Sequence, residues 1–227
     1  MPVFVLNEEL RFPSPNLATE EGLLAIGGDL STERLLAAYA SGIFPWYIEG
    51  QPIMWFSPSP RLVVLPHEYK PKKSLRQKIN QNIFDVRFDE DFEKVIQHCA
   101  AIPRQGQDGT WITPEMQDAY LRLHKLGYAH SVSTYYNGKL AGGLYGVSLG
   151  RTFFGESMFH LVSDASKVAF HYLIEFALKN DFLMIDAQQD TLHMRRLGGR
   201  LMERSDFLSL LRKSSQFDTL QYKWNLK

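Results

Sequence analysis

A single cysteine, Cys99, stands among 227 residues. One thiol excludes an internal disulfide and a cysteine-based zinc site, and it fits a reducing compartment. Net charge is missing too: 25 basic side chains face 25 acidic ones, for a formal charge of +0. Bulk charge therefore excludes a polybasic nucleic-acid binder and an acidic solvating chain. No run approaches the roughly 18 consecutive apolar residues of a membrane span. Met1-Pro2-Val3-Phe4 is not a basic stretch leading into an apolar one. No signal peptide is read, and a soluble cytoplasmic protein is expected. Proline thins out along the chain: nine of 11 lie in residues 1–71, and only Pro103 and Pro114 follow. The histidines show no His-Glu-x-x-His spacing, so His171 and His193 read as structural or surface residues.

Aromatic residues are plentiful, with 4 Trp, 10 Tyr and 15 Phe, and hydrophobic residues make up 44% of the chain. That is enough to bury a core. Charge is uneven along the chain. Residues 1–62 carry Arg11, Arg34 and Arg61 against 7 acidic groups, and the remainder is correspondingly basic. The expected organisation is a small, turn-rich, Pro-rich N-terminal domain (1–62) and a regular domain (63–227). One helix is expected in the first, capped by Ser31, with Leu35, Leu36 and Tyr39 as its apolar stripe and Gly42 as its stop. The rest of that unit reads as turns, from Gly22 through Ser57-Pro58-Ser59-Pro60.

The second domain shows clearer periodicity. Phe92, Val95, Ile96, Cys99 and Ala100 form an amphipathic helical stripe. Thr113 caps a second helix with Pro114 at its first position, Met116, Ala119, Tyr120 and Leu123 on one face, and Gly127 as its stop. Strands are expected over 129–136, 139–148 and 151–159, the first pair joined by the hairpin turn Asn137-Gly138. A long helix follows from Ala165, then a short buried strand over 182–186, then helical segments near 190–197 and 205–213. The order predicts an α/β domain with a mixed sheet.

Four features bear on function. Asp186 and Gln188 end the buried strand, and residues i and i+2 of a strand face one side. They either meet a ligand at the strand end or cap the following helix. Glu156 sits among Phe153, Phe154, Met158 and Phe159, and is either a buried, perturbed carboxylate, a pocket residue or a solvent-facing edge residue. Lys70, Lys72, Lys73, Arg76 and Lys78 make the densest basic run, which suits phosphate contact or a solvated face. Trp46 in the Pro-rich turn Phe44-Pro45-Trp46-Tyr47 can stack on a nucleobase. The segment Arg195-Arg196-Leu197-Gly198-Gly199-Arg200 is not a P-loop and reads as a helix C-terminus with glycine stop signals.

These pieces coincide in order with one family. The chain resembles the leucyl/phenylalanyl-tRNA–protein transferases. The matching segments begin with Phe12-Pro13-Ser14-Pro15, Gly22-Leu23-Leu24-Ala25-Ile26-Gly27-Gly28-Asp29-Leu30 and Gly42-Ile43-Phe44-Pro45-Trp46-Tyr47. Trp55-Phe56-Ser57-Pro58 with Pro60-Arg61, Gly109-Thr110-Trp111-Ile112-Thr113 and Gly142-Gly143-Leu144-Tyr145-Gly146-Val147 follow. Gly155-Glu156-Ser157-Met158-Phe159, Ala165-Ser166-Lys167 and Ile185-Asp186-Ala187-Gln188 complete the set. They span about residues 12 to 200.

The resemblance implies an enzyme that moves Leu or Phe, and Met less well, from leucyl-tRNA or phenylalanyl-tRNA to a protein's N-terminal Arg or Lys, marking it for degradation. It implies a second domain similar to the N-acetyltransferase (GNAT-like) fold, no cofactor, no metal, no membrane partner and a monomer. It assigns catalysis to Asp186 and Gln188. It assigns donor and acceptor binding to Trp46, Trp111, Tyr120, Leu144, Phe153, Glu156, Met158, Leu173 and Ile185. The basic run from Lys70 to Lys78 becomes the expected tRNA contact. Asp186 is expected to orient Gln188 or the amine and to accept a proton, Gln188 to hold the amine, and Glu156 to attract the cationic acceptor. On that reading Asp186→Ala abolishes transfer and spares the fold. An acetyl-CoA-dependent N-acetyltransferase is the first rival, but residues 160–167 contain no glycine for a pyrophosphate loop. A non-catalytic RNA-binding module is the second, and it leaves Asp186, Gln188 and Glu156 idle.

Overall fold

The computed structural model describes residues 3–102 and 110–225. Pro103 and Gly109 of the segments above lie outside them. The first sixty residues are not all turns besides one helix. Strands β1 (Phe4–Leu6) and β2 (Leu23–Gly27) precede helix α1 (Thr32–Ala40), and β3 (Phe44–Pro45) and β4 (Met54–Phe56) follow it. The strands form a sheet in the order β1-β2-β4-β3, with only β1 and β2 parallel. β1, β3 and β4 have only two or three residues and β2 is an apolar run of five ending in glycine, so none shows an alternation that a sequence window can detect, which is why they read as turns. Helix α1 is as expected. The Ser31 hydroxyl accepts the Arg34 backbone N–H at 3.3 Å, filling the cap.

The second unit opens with β5 (Arg61–Val64), α2 (Lys73–Asn80), β6 (Asp85–Phe88) and α3 (Phe92–Ala101). Then come α4 (Pro114–Lys125), β7 (Ala129–Tyr136), β8 (Lys139–Leu149), β9 (Thr152–His160) and α5 (Ala165–Lys179). Last are β10 (Met184–Asp186), α6 (Leu192–Arg196), β11 (Arg200–Met202) and α7 (Arg204–Ser214). The strands make a mixed seven-stranded sheet, β11-β5-β10-β9-β8-β7-β6, so the α/β class is as expected. β9 and β10 are its parallel pair. The amphipathic helices, the three-strand meander and the Asn137-Gly138 hairpin all form where the sequence placed them.

Four elements are additions. β5, β6 and β11 are three or four residues long, and α2 buries only Leu75, so none carries a full apolar pattern. α6 does end on glycines. Gly199 N–H reaches the Met194 carbonyl at 2.8 Å and Gly198 N–H the Arg195 carbonyl at 3.1 Å. Gly198 takes φ +95°, which suits a residue with no Cβ.

One core cluster runs through both sheets, joining Tyr39, Phe44 and Trp55 to Tyr120, Tyr145 and Phe154. A second packs α5 against the opposite face of the large sheet, and a third, smaller one joins α2 to the start of α5. β10 pairs with β9 only up to Asp186 opposite Phe154. Past that point β9 runs on to His160 with β8 as its partner. The sheet therefore parts between β9 and β10, and a cavity opens in the gap.

Candidate active site

The cavity measures about 830 Å³. Its walls come from the extension of β9, the loop after β10, the first turns of α5, and Phe44, Pro45 and Trp46 of the N-terminal sheet. Among the residues named from sequence, Trp46, Trp111, Leu144, Phe153, Glu156, Met158, Leu173, Ile185, Asp186 and Gln188 all line it. Leu144, Phe153, Leu173 and Ile185 are buried core side chains that meet at its apolar end. Tyr120 lies one layer behind and reaches the cavity through Glu156. His193 is an exposed rim residue whose Nε2 is 3.1 Å from Met158 Sδ. Partial desolvation of its ring at the rim, followed by the nearby Lys167 and Arg196 charges, holds its pKa below the usual histidine range.

Glu156 is almost completely buried. Oε1 accepts the Tyr39 hydroxyl at 2.8 Å and the Gln188 side-chain amide at 2.8 Å. Oε2 accepts the Tyr120 hydroxyl at 2.9 Å. Desolvation outweighs these three donors, and the carboxyl is pushed up to about 7. Burial followed by the Glu156 charge raises both tyrosines well above their ordinary range, so both act as donors. The solvent-facing alternative for Glu156 is thus excluded.

Asp186 departs from the expected arrangement. Its two oxygens take a bidentate guanidinium: Arg61 Nε to Oδ1 at 2.9 Å and Arg61 Nη2 to Oδ2 at 2.7 Å, both residues essentially without solvent contact. The register explains the meeting. Val63 lies opposite Asp186 in antiparallel β5 and β10, and Arg61 shares a face with Val63. The rings of Phe44 and Phe207 flank the guanidinium at 4.7 and 4.8 Å.

The i, i+2 projection of Asp186 and Gln188 does not occur, because the strand ends at Asp186 and Gln188 takes φ 60°. Asp186 Oδ1 instead accepts the Gln188 backbone N–H at 2.8 Å. That bond holds the turn and aims the Gln188 amide at Glu156. Asp186→Ala would strand a buried guanidinium and so costs stability, contrary to the expectation that it spares the fold.

The basic run is exposed as expected, with Lys70 and Lys72 before α2 and Lys73, Arg76 and Lys78 on it. None of the five lines the cavity. α2 packs through Leu75 against Ala165 and Val168 of α5, whose Ser166 and Phe170 do line it.

Two residues that hold the site went unread in sequence. Tyr39 looked like one member of an apolar stripe, and Arg61 like a charge near a domain boundary. Its position on a strand of apolar residues was the available signal, since a buried arginine needs an acid. Among the described residues no cluster of three or more His, Cys, Asp or Glu is placed to hold a metal ion. No helix among them is long and apolar enough to cross a membrane.

Comparison with known proteins adds to this geometry. The family model described as leucyl/phenylalanyl-tRNA protein transferase matches residues 63–212, and the model for that family's N-terminal domain matches residues 28–59. A leucyl/phenylalanyl-tRNA–protein transferase from Desulfatibacillum aliphaticivorans is 52% identical over 227 residues, covering 100% of this chain and 97% of that one. One from Syntrophobacter fumaroxidans is 54% identical over 211 residues, covering 93% and 90%. Solved structures resemble the chain more remotely. An aminoglycoside acetyltransferase from an uncultured soil metagenomic sample has a TM-score of 0.38 at 14% identity, covering 65% of this chain and 99% of that one. The L-PGS structure from Bacillus licheniformis has a TM-score of 0.41 at 10% identity, covering 87% and 61%.

Proposed function

The chain belongs to the leucyl/phenylalanyl-tRNA–protein transferase family, and we propose that its cavity holds the aminoacylated end of tRNA beside a protein N-terminus. The enzyme transfers Leu or Phe from aminoacyl-tRNA to protein N-termini. The finer assignments are ours: an acceptor beginning with Arg or Lys, action in the cytoplasm, and one chain per site. A domain division near residue 62 is supported by the separate family matches on either side of it. β5 then links the units, with Arg61 reaching Asp186.

One observation carries the site reading. A single cavity joins an apolar end (Leu144, Phe153, Met158, Leu173, Ile185), two tryptophans and a buried carboxylate near neutrality. An amino-acid side chain fits the apolar end. Such a pocket rejects a smaller chain by only about 1–3 kcal/mol per methylene, which suits shared use by Leu and Phe. Trp46, half-buried and T-shaped against Phe56 at 5.5 Å, offers a ring for the terminal base. The exposed charges from Lys70 to Lys78 are the proposed contact with the tRNA body.

The chemistry follows from the donor. An aminoacyl ester is already activated, and an α-amine has a pKa of about 7.7–8.0. Positioning therefore does much of what a strong base would do. Gln188 holds the amine beside the ester carbonyl. Glu156, titrating near 7, attracts the cationic N-terminus and can take the proton the amine releases as the new amide bond forms. The ester C–O bond breaks, and the proton balance closes on the leaving ribose oxygen, which departs as a hydroxyl on the tRNA. Asp186, with both oxygens on Arg61, fixes the Gln188 turn and is assigned a positioning role rather than that of proton acceptor. No group beyond these side chains is assigned to the reaction.

The test mixes the protein with charged leucyl-tRNA and a peptide beginning with Arg. Peptide longer by one Leu supports the reading. Acetylation of the peptide from acetyl-CoA, or tRNA binding with no turnover, refutes it.

A further inference from the structure

We infer that Trp224, on the C-terminal tail far from the catalytic residues in sequence, sets the depth of the amino-acid pocket by backing the Phe153 ring. The inference rests on the aminoacyl-tRNA reading of the cavity. Trp224 has no solvent contact and shares one core cluster with the pocket residues Leu144, Phe153, Leu173 and Ile185. Its ring centroid is 5.8 Å from that of Phe153, tilted by 45°. Phe153 in turn lines the cavity.

The Phe153 ring is hemmed in on another side as well. A Cβ at Gly146 would stand 2.6 Å from Phe153 Cζ, so the ring lies directly over that glycine's backbone. Gly146 and Trp224 thus bound the Phe153 ring on two sides, and the ring also lines the cavity. Interiors packed this closely pass a change in one side chain to the next.

Trp224 is itself held firmly, which makes it a fixed stop. Its indole stacks on His130 at 3.8 Å with planes 7° apart, and on Phe176 at 4.2 Å. Its backbone N–H donates to Asp89 Oδ2 at 2.8 Å, and its ring N–H to the Leu220 carbonyl at 3.2 Å. Asp89 is a buried hub, bonded also to His130 Nδ1 at 2.7 Å and to the Ser131 N–H at 2.8 Å. Upstream, Gly150 N–H donates to Thr219 Oγ1 at 2.9 Å, tying the tail to the β8–β9 turn. The tail thus seats one aromatic ring behind the pocket floor.

The consequence is a change in selectivity. Trp224→Leu leaves space into which Phe153 recedes, and the pocket deepens. The ratio of kcat/KM for phenylalanyl over leucyl donors should rise by about tenfold, at the low end for a methylene-sized change in an apolar pocket. Trp224→Phe should raise it less. The experiment measures both ratios with charged tRNAs and an Arg-initial peptide, alongside thermal melts. The ratio is independent of how much enzyme is folded, so lost stability alone leaves it unchanged. If Trp224→Leu does not fold, Trp224→Phe decides. An unchanged ratio with a lowered melting temperature overturns the inference and makes Trp224 a packing residue only. A wild-type protein that transfers from neither donor refutes the functional reading instead.

Discussion

Glu156→Gln separates the electrostatics of the site from its shape. In the folded protein burial lifts the carboxyl from an ordinary 4.5 to about 7. The folded state therefore binds this proton more tightly than the unfolded chain does. The resulting stability is fully present below pH 4.5 and is lost as pH rises through 7. At about 1.36 kcal/mol per pH unit, the loss is about 3 kcal/mol for this fully buried group. For a chain of this length that is about 6–12 °C in melting temperature.

Glutamine is neutral throughout. Its carbonyl can still accept from Tyr39 and from Gln188, which lie at 2.8 Å from Oε1, and its amide can donate toward the Tyr120 oxygen. The assay is a thermal melt of both proteins in steps from pH 4.5 to pH 8. The difference in melting temperature, Glu156→Gln minus wild type, cancels the other titrating groups. It should rise with pH by the stated amount and level off above about 7. A flat difference would refute the claim that a buried, raised carboxyl sits here. Transfer by the variant should also lose the limb of its pH profile near 7.

Arg61→Met should cost about 3–5 kcal/mol in urea denaturation, since Asp186 stays buried without its counter-charge. Adding Asp186→Leu should recover most of that, and a single variant as stable as the double one would contradict the pairing. Tyr39→Phe removes a hydroxyl that favours the Glu156 anion, so the acid limb of the transfer profile should move upward from about 7; an unmoved limb would show that Tyr39 does not tune the carboxyl. Lys73→Glu and Arg76→Glu on α2 should each lower the slope of log affinity for tRNA against log salt by about 0.7–0.9 if one phosphate contact is lost. A slope equal to wild type removes α2 from the tRNA interface.

Patterned elements could be read directly from the residues. The stripe Phe92, Val95, Ile96, Cys99 forms α3, and the Thr113-Pro114 start forms α4, because local spacing and capping dictate both. The catalytic and pocket residues named from sequence also gather in one cavity, apart from Tyr120 behind Glu156, while the basic run lies outside it. The short strands of the N-terminal sheet were illegible, since a strand of two or three residues is stabilised by its neighbours and not by its own pattern.

Pairings were decided in three dimensions only. Arg61 and Asp186 are 125 residues apart in sequence, and their bidentate contact depends on the β5–β10 register. Tyr39 and Glu156, 117 apart, meet because α1 packs on α4 and sets the Tyr39 ring 5.1 Å from Phe154 of β9. Burial does not belong to a carboxylate's own sequence position, so the pKa of Glu156 could not be read from its neighbours along the chain. The amino-acid sequence alone determined the motifs, and with them which residues were expected at the site that the fold gathers into one cavity. Tertiary structure decided which carboxylate is paired with a guanidinium and which is raised toward neutrality by burial, because desolvation and counter-charge are properties of packing.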